Sequence, residues 1–131
     1  MIDVSVGLSD SIHKQIDASY YPDGRRRYMA RAIKEVFPDK IVMTSGNIRN
    51  PQNACEILEN QDVDLIGMGR QTIANPSWPH KVKTGKIDEI RQCISCNIGC
   101  AGHRIGLNRP IRCTVNPDVF YDDFYKKTKS K

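Results

Sequence analysis

Four cysteines carry the sharpest chemical signal in this chain. Cys93, Cys96, Cys100 and Cys113 follow the pattern C-x2-C-x3-C-x12-C. Two thiolates separated by two residues can reach one metal centre. A third close by and a fourth returning from a loop complete a shell of sulfur ligands. In a cubane iron–sulfur cluster each iron needs one outer ligand, so four thiolates satisfy it. The rival is zinc in a four-cysteine site, whose usual form is two paired knuckles. Here three ligands crowd together and one is remote, which favours a [4Fe–4S] cluster and keeps zinc as the alternative. Gly99 and Gly102 are expected to let the chain turn tightly around the cluster. Cys55 is far from the group in sequence and is expected to be a packing residue on a helix.

Two glycine loops, each following a strand-like segment, form a second constellation. One is Ser45-Gly46-Asn47 and the other is Gly67-Met68-Gly69-Arg70. Glycine lets backbone N–H groups approach an anion, and arginine supplies a bidentate partner for phosphate. In (β/α)8 barrels a phosphate site is often built from the loops after strands 7 and 8. Ordinary tight turns after buried strands would show the same glycines, so spacing alone leaves both readings open.

The elements that must position these residues alternate between strand and helix. Residues 2–6 read as a short buried strand, and residues 8–24 as polar and irregular. A helix is expected from about Arg25, with Tyr28, Met29, Ala32, Ile33, Val36 and Phe37 on its apolar face. Residues 41–43 form the next strand. Asn50 then caps a helix with Pro51 at its first position and Ala54, Ile57 and Leu58 as its buried stripe. Residues 63–68 form a third strand. Asn75-Pro76 repeats the cap-then-proline signal, residues 87–92 suggest one helical turn, and the cysteine segment reads as loop. This alternation is the signature of βαβ crossovers and a parallel sheet. It suits an open doubly wound sheet or part of a closed barrel, whose usual length is about 250 residues.

The chain has 131 residues and a net charge of +5, part of it in Arg25-Arg26-Arg27 and in the tail of residues 126–131. No aromatic residues interleave with these runs as a base-stacking surface requires, so they read as a solvated loop and a frayed terminus, not a nucleic-acid surface. No apolar run approaches the roughly 20 residues of a membrane span. The N-terminus lacks the basic start and apolar stretch of a secretory signal, which implies a cytoplasmic protein. Five cysteines in such a chain suggest metal or redox chemistry instead of disulfides.

The combination of Thr44-Ser45-Gly46-Asn47-Ile48, Asp64-Leu65-Ile66-Gly67-Met68-Gly69-Arg70, Ala74-Asn75-Pro76 and the cysteine motif ending in Cys113-Thr114-Val115-Asn116-Pro117 resembles the C-terminal part of a flavin barrel. The family is the NADH:flavin oxidoreductases of the old yellow enzyme group, in the iron–sulfur branch with 2,4-dienoyl-CoA reductase and trimethylamine dehydrogenase. The resemblance implies an α/β fold: the C-terminal portion of a (β/α)8 TIM barrel, about three βα units, followed by a cysteine-rich cluster-binding loop. Residues 1–90 would be the partial FMN-binding barrel (strands 6 to 8), residues 91–117 the cluster segment and residues 118–131 a polar tail. Gly46 and Asn47, with Ser45 beside them, would meet the FMN phosphate from one loop, and Gly67, Gly69 and Arg70 from the next. Cys93, Cys96, Cys100 and Cys113 would hold the cluster.

By the same resemblance the activity is reduction of an activated C=C bond, of dienoyl or enoate type, with NAD(P)H as electron donor. The partners expected are a small-molecule substrate and the missing N-terminal part of the barrel, supplied by further chain. The catalytic acid is not among the residues that match. His13 lies in the loop after the first strand, where dienoyl-CoA reductases place a histidine, but its spacing from Gly7 fits poorly. Tyr20 and Tyr21 are indistinguishable from surface tyrosines. Two other classes remain open: a small electron-transfer module that catalyses nothing, and a zinc-stabilised binding module.

Overall fold

A computed structural model describes residues 1–119 of the chain. The expected tail from residue 120 onward lies outside the described residues. Three strands, β1 (Ile2–Val4), β2 (Val42–Ser45) and β3 (Leu65–Gly67), form one parallel sheet in the order β1-β2-β3. Sequence neighbours are thus spatial neighbours, as in consecutive units of a barrel wall. The register pairs Asp3 with Met43, Met43 with Leu65 and Ser45 with Gly67.

Because side chains alternate along a strand, that register sorts the sheet into two faces. Ile2, Val4, Val42 and Ile66 face the helices and join the core of Ala30, Val42, Ile48, Ala54, Ile57, Val63 and Trp78. Asp3, Met43, Ser45 and Leu65 share the other face. Parallel sheets are normally covered on both sides. Here Leu65 remains 44% exposed, so the second face is open among the described residues.

The helices follow the sequence signals unevenly. In α1 (Ile12–Gln15) a single turn forms inside the segment read as irregular. The long crossover helix, α2 (Arg27–Val36), starts later than expected. It buries Ala30 and half-buries Ile33, while Tyr28, Ala32, Val36 and Phe37 are exposed. The expected apolar face is therefore only partly right: Ile33 packs on the core and Met29 is half-buried, but Tyr28, Ala32 and Val36 lie outside. The helix turns inward a small residue, which lets it approach β2, and leaves Tyr28, Ala32 and Val36 in a row of i, i+4 spacing on its outer side. Lys34 on this helix donates to both oxygens of Asp64, at 2.9 and 2.8 Å. The Lys34 ammonium, with the Val42 N–H, holds the Asp64 carboxyl below its ordinary range.

In α3 (Pro51–Glu59) the cap is as expected. Asn50 accepts from the Gln52 N–H at 2.9 Å and proline occupies the first turn. Ala54 and Ile57 are buried, but Leu58 and Cys55 are exposed, so Cys55 is not a packing residue. Two short helices follow, α4 (Arg70–Ala74) and α5 (Trp78–Lys83). Asn75 closes α4 instead of opening the next helix, and Ser77 is the N-cap of α5. Asn75-Pro76 is a stop signal because proline cannot continue the helix before it.

The basic run at Arg25-Arg26-Arg27 is not a solvated loop. Arg26 is only 4% exposed. It pairs with the fully buried Asp17 at 3.0 Å and donates to the carbonyls of Lys14 and Gln15. Arg25 completes the node at 2.7 Å from Asp17 and stacks over the Tyr21 ring. A buried carboxylate is tolerable only when paired in this way. The charge run looked solvated because its partner lies eight or nine residues upstream, out of phase with any helical pairing. No described helix is long and apolar enough to cross a membrane.

Candidate functional site

The ends of β2 and β3 deliver both glycine loops to one cavity of about 530 Å3, within the range that holds small-molecule ligands. Ser45, Gly46, Asn47, Gly67, Gly69 and Arg70 all line it. Each loop uses glycine differently. Gly46 adopts φ +114°, and a Cβ there would lie 2.9 Å from Arg26 Nη1. A Cβ on Gly67 would approach that of Ser45 across the strand pair at 3.1 Å. At Gly69 a Cβ would meet no protein atom within 4 Å. Its lack of a side chain leaves open space at the cavity wall, as close approach of a ligand requires.

Charge in the cavity is uneven. Arg26, Arg49, Arg70 and Arg104 line it, against one carboxylate, Asp3. Arg26 is compensated by Asp17, and Arg49 by Asp23 at 2.5 Å. Arg70 is different: its partners among the described residues are neutral oxygens. It donates to the Asp17 carbonyl, to Asn97 Oδ1 at 2.6 Å and to Asn47 Oδ1 at 3.3 Å. An oriented guanidinium without a carboxylate partner is suited to receive an anion.

Asn47 is buried, with its side chain held by three hydrogen bonds inside the protein. Its Nδ2 donates to the Tyr21 carbonyl at 3.0 Å, and its Oδ1 accepts from Arg70 and from the Ser95 hydroxyl. The loop backbone, not the Asn47 amide, is the surface available to a ligand. This use of a side chain to brace a loop has no signature in sequence spacing.

All four motif cysteines line a second pocket beside the first. No histidine, aspartate or glutamate lines it, so the donor set is purely thiol. That set fits a centre bound by four thiolates. Among the described residues no three Cys, His, Asp or Glu side chains converge closely enough to hold a single metal ion. Burial raises the Cys96 thiol, but the Thr114 hydroxyl at 3.3 Å and the N–H groups of Ile98, Cys96 and Gly99 outweigh it and hold Cys96 below its ordinary value.

The path of the chain around this pocket differs from the expectation. The turns are made by Ser95 at φ +50° and Asn97 at φ +59°, not by the glycines. Asparagine tolerates the left-handed region well, and the serine is held there by burial. A π-helical segment, Ile98–Gly106, then runs through Cys100, where the sequence suggested only loop. It opens with the Gly102 N–H donating to the Asn97 carbonyl at 2.7 Å. Gly99 is needed for close approach. A Cβ there would lie 2.6 Å from the Arg112 carbonyl oxygen, while the Arg112 N–H donates to the Gly99 carbonyl at 2.7 Å. This contact brings the returning segment, and with it Cys113, against the other three cysteines. Gly99→Ala is expected to cost about 1–3 kcal/mol of stability through overpacking against backbone. It should lower bound iron more than Gly106→Ala does, since a Cβ on Gly106 meets nothing. Thermal denaturation and iron analysis of the two variants check this.

Three side chains to which the sequence assigned no role of their own, Asn116 among them although it lies in the quoted motif, brace the cysteine segment. Gln71, buried beside Arg70, accepts the Cys93 N–H at 2.8 Å and donates to the Arg91 carbonyl at 3.0 Å. Arg49 donates to the Cys93 carbonyl at 3.3 Å. Asn116, also buried, donates to the Ile73 carbonyl at 2.8 Å and accepts from Arg91. The one available signal was position: each flanks a motif residue. His13, by contrast, is exposed on α1, and Tyr20 stacks on Tyr21 at the surface, 76% exposed. None of the three lines the cavity of the glycine loops.

Parallel βα units in sequence order, whose strand ends meet in one cavity beside a pocket of four thiols, are consistent with part of a (β/α)8 barrel wall. The chain belongs to the NADH:flavin oxidoreductase / NADH oxidase family, which matches residues 6–89. It is 40% identical over 129 residues to an NADH oxidase of Thermoanaerobacter brockii, covering 98% of this chain and 20% of that protein. A cinnamate reductase of Clostridium sporogenes is 30% identical over 112 residues, covering 86% and 16%. Among solved structures, 2-naphthoyl-CoA reductase superposes with a TM-score of 0.81 at 26% identity, covering 89% of this chain and 17% of its own. The chain thus spans about a fifth or less of the length of the relatives it matches. These likenesses bear out the expected family and the partial-barrel fold.

Proposed function

We propose that this chain forms the flavin-phosphate and cluster-binding end of an FMN- and [4Fe–4S]-dependent oxidoreductase that uses NAD(P)H to reduce an activated C=C bond. The observation that carries the reading is the shared wall of the two pockets. The cavity of the glycine loops is lined by Cys93 and Cys100 as well as by Arg70. A redox cluster and a flavin would sit there within reach of one another.

In this reading residues 1–90 supply the barrel wall and residues 91–117 wrap the cluster. Gly46 and Asn47 offer backbone to the phosphate, Ser45 lies beside them, and Gly67 and Gly69 leave room for it. Arg70 supplies the compensating charge. Cys93, Cys96, Cys100 and Cys113 each hold one iron. When bound, FMN supplies hydride transfer between NAD(P)H and an enoate- or dienoyl-type substrate, and the cluster supplies single-electron relay. The remaining barrel strands, with the residues that contact the flavin ring and donate the proton, come from further chain. The ligand pattern, three thiols crowded together and one remote, supports a cluster over zinc. A single zinc ion requires every sulfur at about 2.3 Å from one point, whereas a cubane spaces its ligands over four separate irons.

The phosphate assignment is tested at Arg70. In the flavoprotein, Arg70→Ala should weaken FMN binding by about 1.5–3 kcal/mol, the range for hydrogen bonds to charged groups. Flavin fluorescence titration reads it, and unchanged affinity would remove Arg70 from the phosphate site. The activity is tested by anaerobic NADH-dependent reduction of an enoate. Bound FMN without turnover of any enoate or dienoyl substrate would leave a flavin protein of different specificity, and cluster without FMN would leave an electron carrier.

A further inference from the structure

We propose that Asn97, inside the cysteine motif, is a positioning residue for the flavin phosphate: it sets the guanidinium of Arg70, so the cluster loop controls how tightly FMN is held. The inference rests on the phosphate-site reading above.

The geometry of Arg70 is the starting point. Its Nη1 carries two hydrogens, and both are used, one by the Asp17 carbonyl and one by Asn97 Oδ1 at 2.6 Å. That pair of bonds fixes the plane of the guanidinium. The opposite edge, Nε–H with Nη2–H, is the fork that meets phosphate side-on. Of that edge, only Nη2 has a partner among the described residues, Asn47 Oδ1 at 3.3 Å. Arg70 lines both the cavity of the glycine loops and the pocket of the four cysteines. Among the described residues it is the one charged side chain that lines both.

Asn97 is held for this task by the motif itself. It lies between Cys96 and Cys100 at φ +59°, and its carbonyl starts the π-helical segment. Ligation of Cys96 and Cys100 would hold that turn in place. Ser95, between Cys93 and Cys96 and only 1% exposed, makes a parallel link by donating to Asn47 of the phosphate loop. The cluster loop thus braces both the arginine and the loop it faces.

The test compares FMN with riboflavin, which has the same ring and no phosphate, on the cluster-loaded protein with the remaining barrel strands present. Asn97→Gly keeps the left-handed turn and deletes only the amide. FMN affinity should fall about tenfold, the loss expected when a hydrogen bond orienting a charged group is removed. Riboflavin affinity, iron and sulfide should not change. In the Arg70→Ala background, Asn97→Gly should add no further loss, because the two act as one unit. Asn97→Ser, too short to reach the guanidinium, should repeat the result. Since riboflavin is an internal control for general damage, the FMN-to-riboflavin affinity ratio remains readable even where cluster content drops. Equal loss of FMN and riboflavin, or additivity with Arg70→Ala, would overturn the inference. If Arg70→Ala itself leaves the ratio unchanged, the phosphate site is wrong and the inference falls with it. If Arg70→Ala lowers the ratio and the Asn97 variants do not, only the inference falls.

Discussion

Serine in place of any one of Cys93, Cys96, Cys100 or Cys113 should remove the brown iron–sulfur absorption of the anaerobically purified protein, whereas Cys55→Ser should leave it intact. The four residues line one pocket with no carboxylate or imidazole to substitute for a lost thiolate. Wild-type protein should carry about four iron and four sulfide per chain, and each variant close to none, because every thiolate caps a different iron. The Thr114 hydroxyl and three backbone N–H groups more than offset the rise caused by burial and hold the Cys96 thiol below its ordinary value. Cys55 is exposed on α3 and does not line the pocket. Iron and labile-sulfide analysis checks the result. Stoichiometric zinc without sulfide, or full iron content in the Cys113→Ser variant, would sink the cluster assignment.

The gathering of four cysteines was legible because their spacing, three thiols within eight residues and one returning later, is that of a shared site, and the structure brings all four to one pocket. The three strands were legible because short apolar runs bounded by glycine and proline have few other conformations available, although their ends shifted by up to two residues. What stayed hidden shares one physical cause. Asp17 with Arg26, Arg70 with Asn97, and Gln71 with Cys93 are pairs between segments far apart in sequence or out of phase with any local period. Polar side chains near such pairs look like ordinary loop residues until the backbone brings them together. The partly misread face of α2 has a related origin. Its apolar residues exceed what one face can bury, so periodicity admitted two solutions, and only the position of β2 chose between them.

The 131-residue chain expressed by itself should fail to behave as a monomeric flavoprotein. Among the described residues each of the outer strands, β1 and β3, pairs on one side only, with β2. Their free edges present unpaired backbone groups that template pairing with another chain. The face that carries Asp3, Met43 and Leu65 is uncovered, as is the row of Tyr28, Ala32 and Val36 on α2. In a closed barrel both surfaces are buried, by the filled interior and by neighbouring helices. At about 25 cal/mol per Å2 of apolar surface, leaving them in water forfeits several kcal/mol, comparable to the whole stability of a small domain. FMN should also bind poorly, because in the proposed reading Arg70 and the two glycine loops would meet only its phosphate and leave the ring without walls. Size-exclusion chromatography with absorbance at the flavin band reads both effects. The expected result is oligomer or aggregate with little bound FMN, and restoration of a discrete, flavin-loaded species when the relatives' earlier barrel strands are supplied. A stable monomer that retains stoichiometric FMN would show that three βα units and a cluster loop suffice, and would overturn the view that this surface is built to be covered.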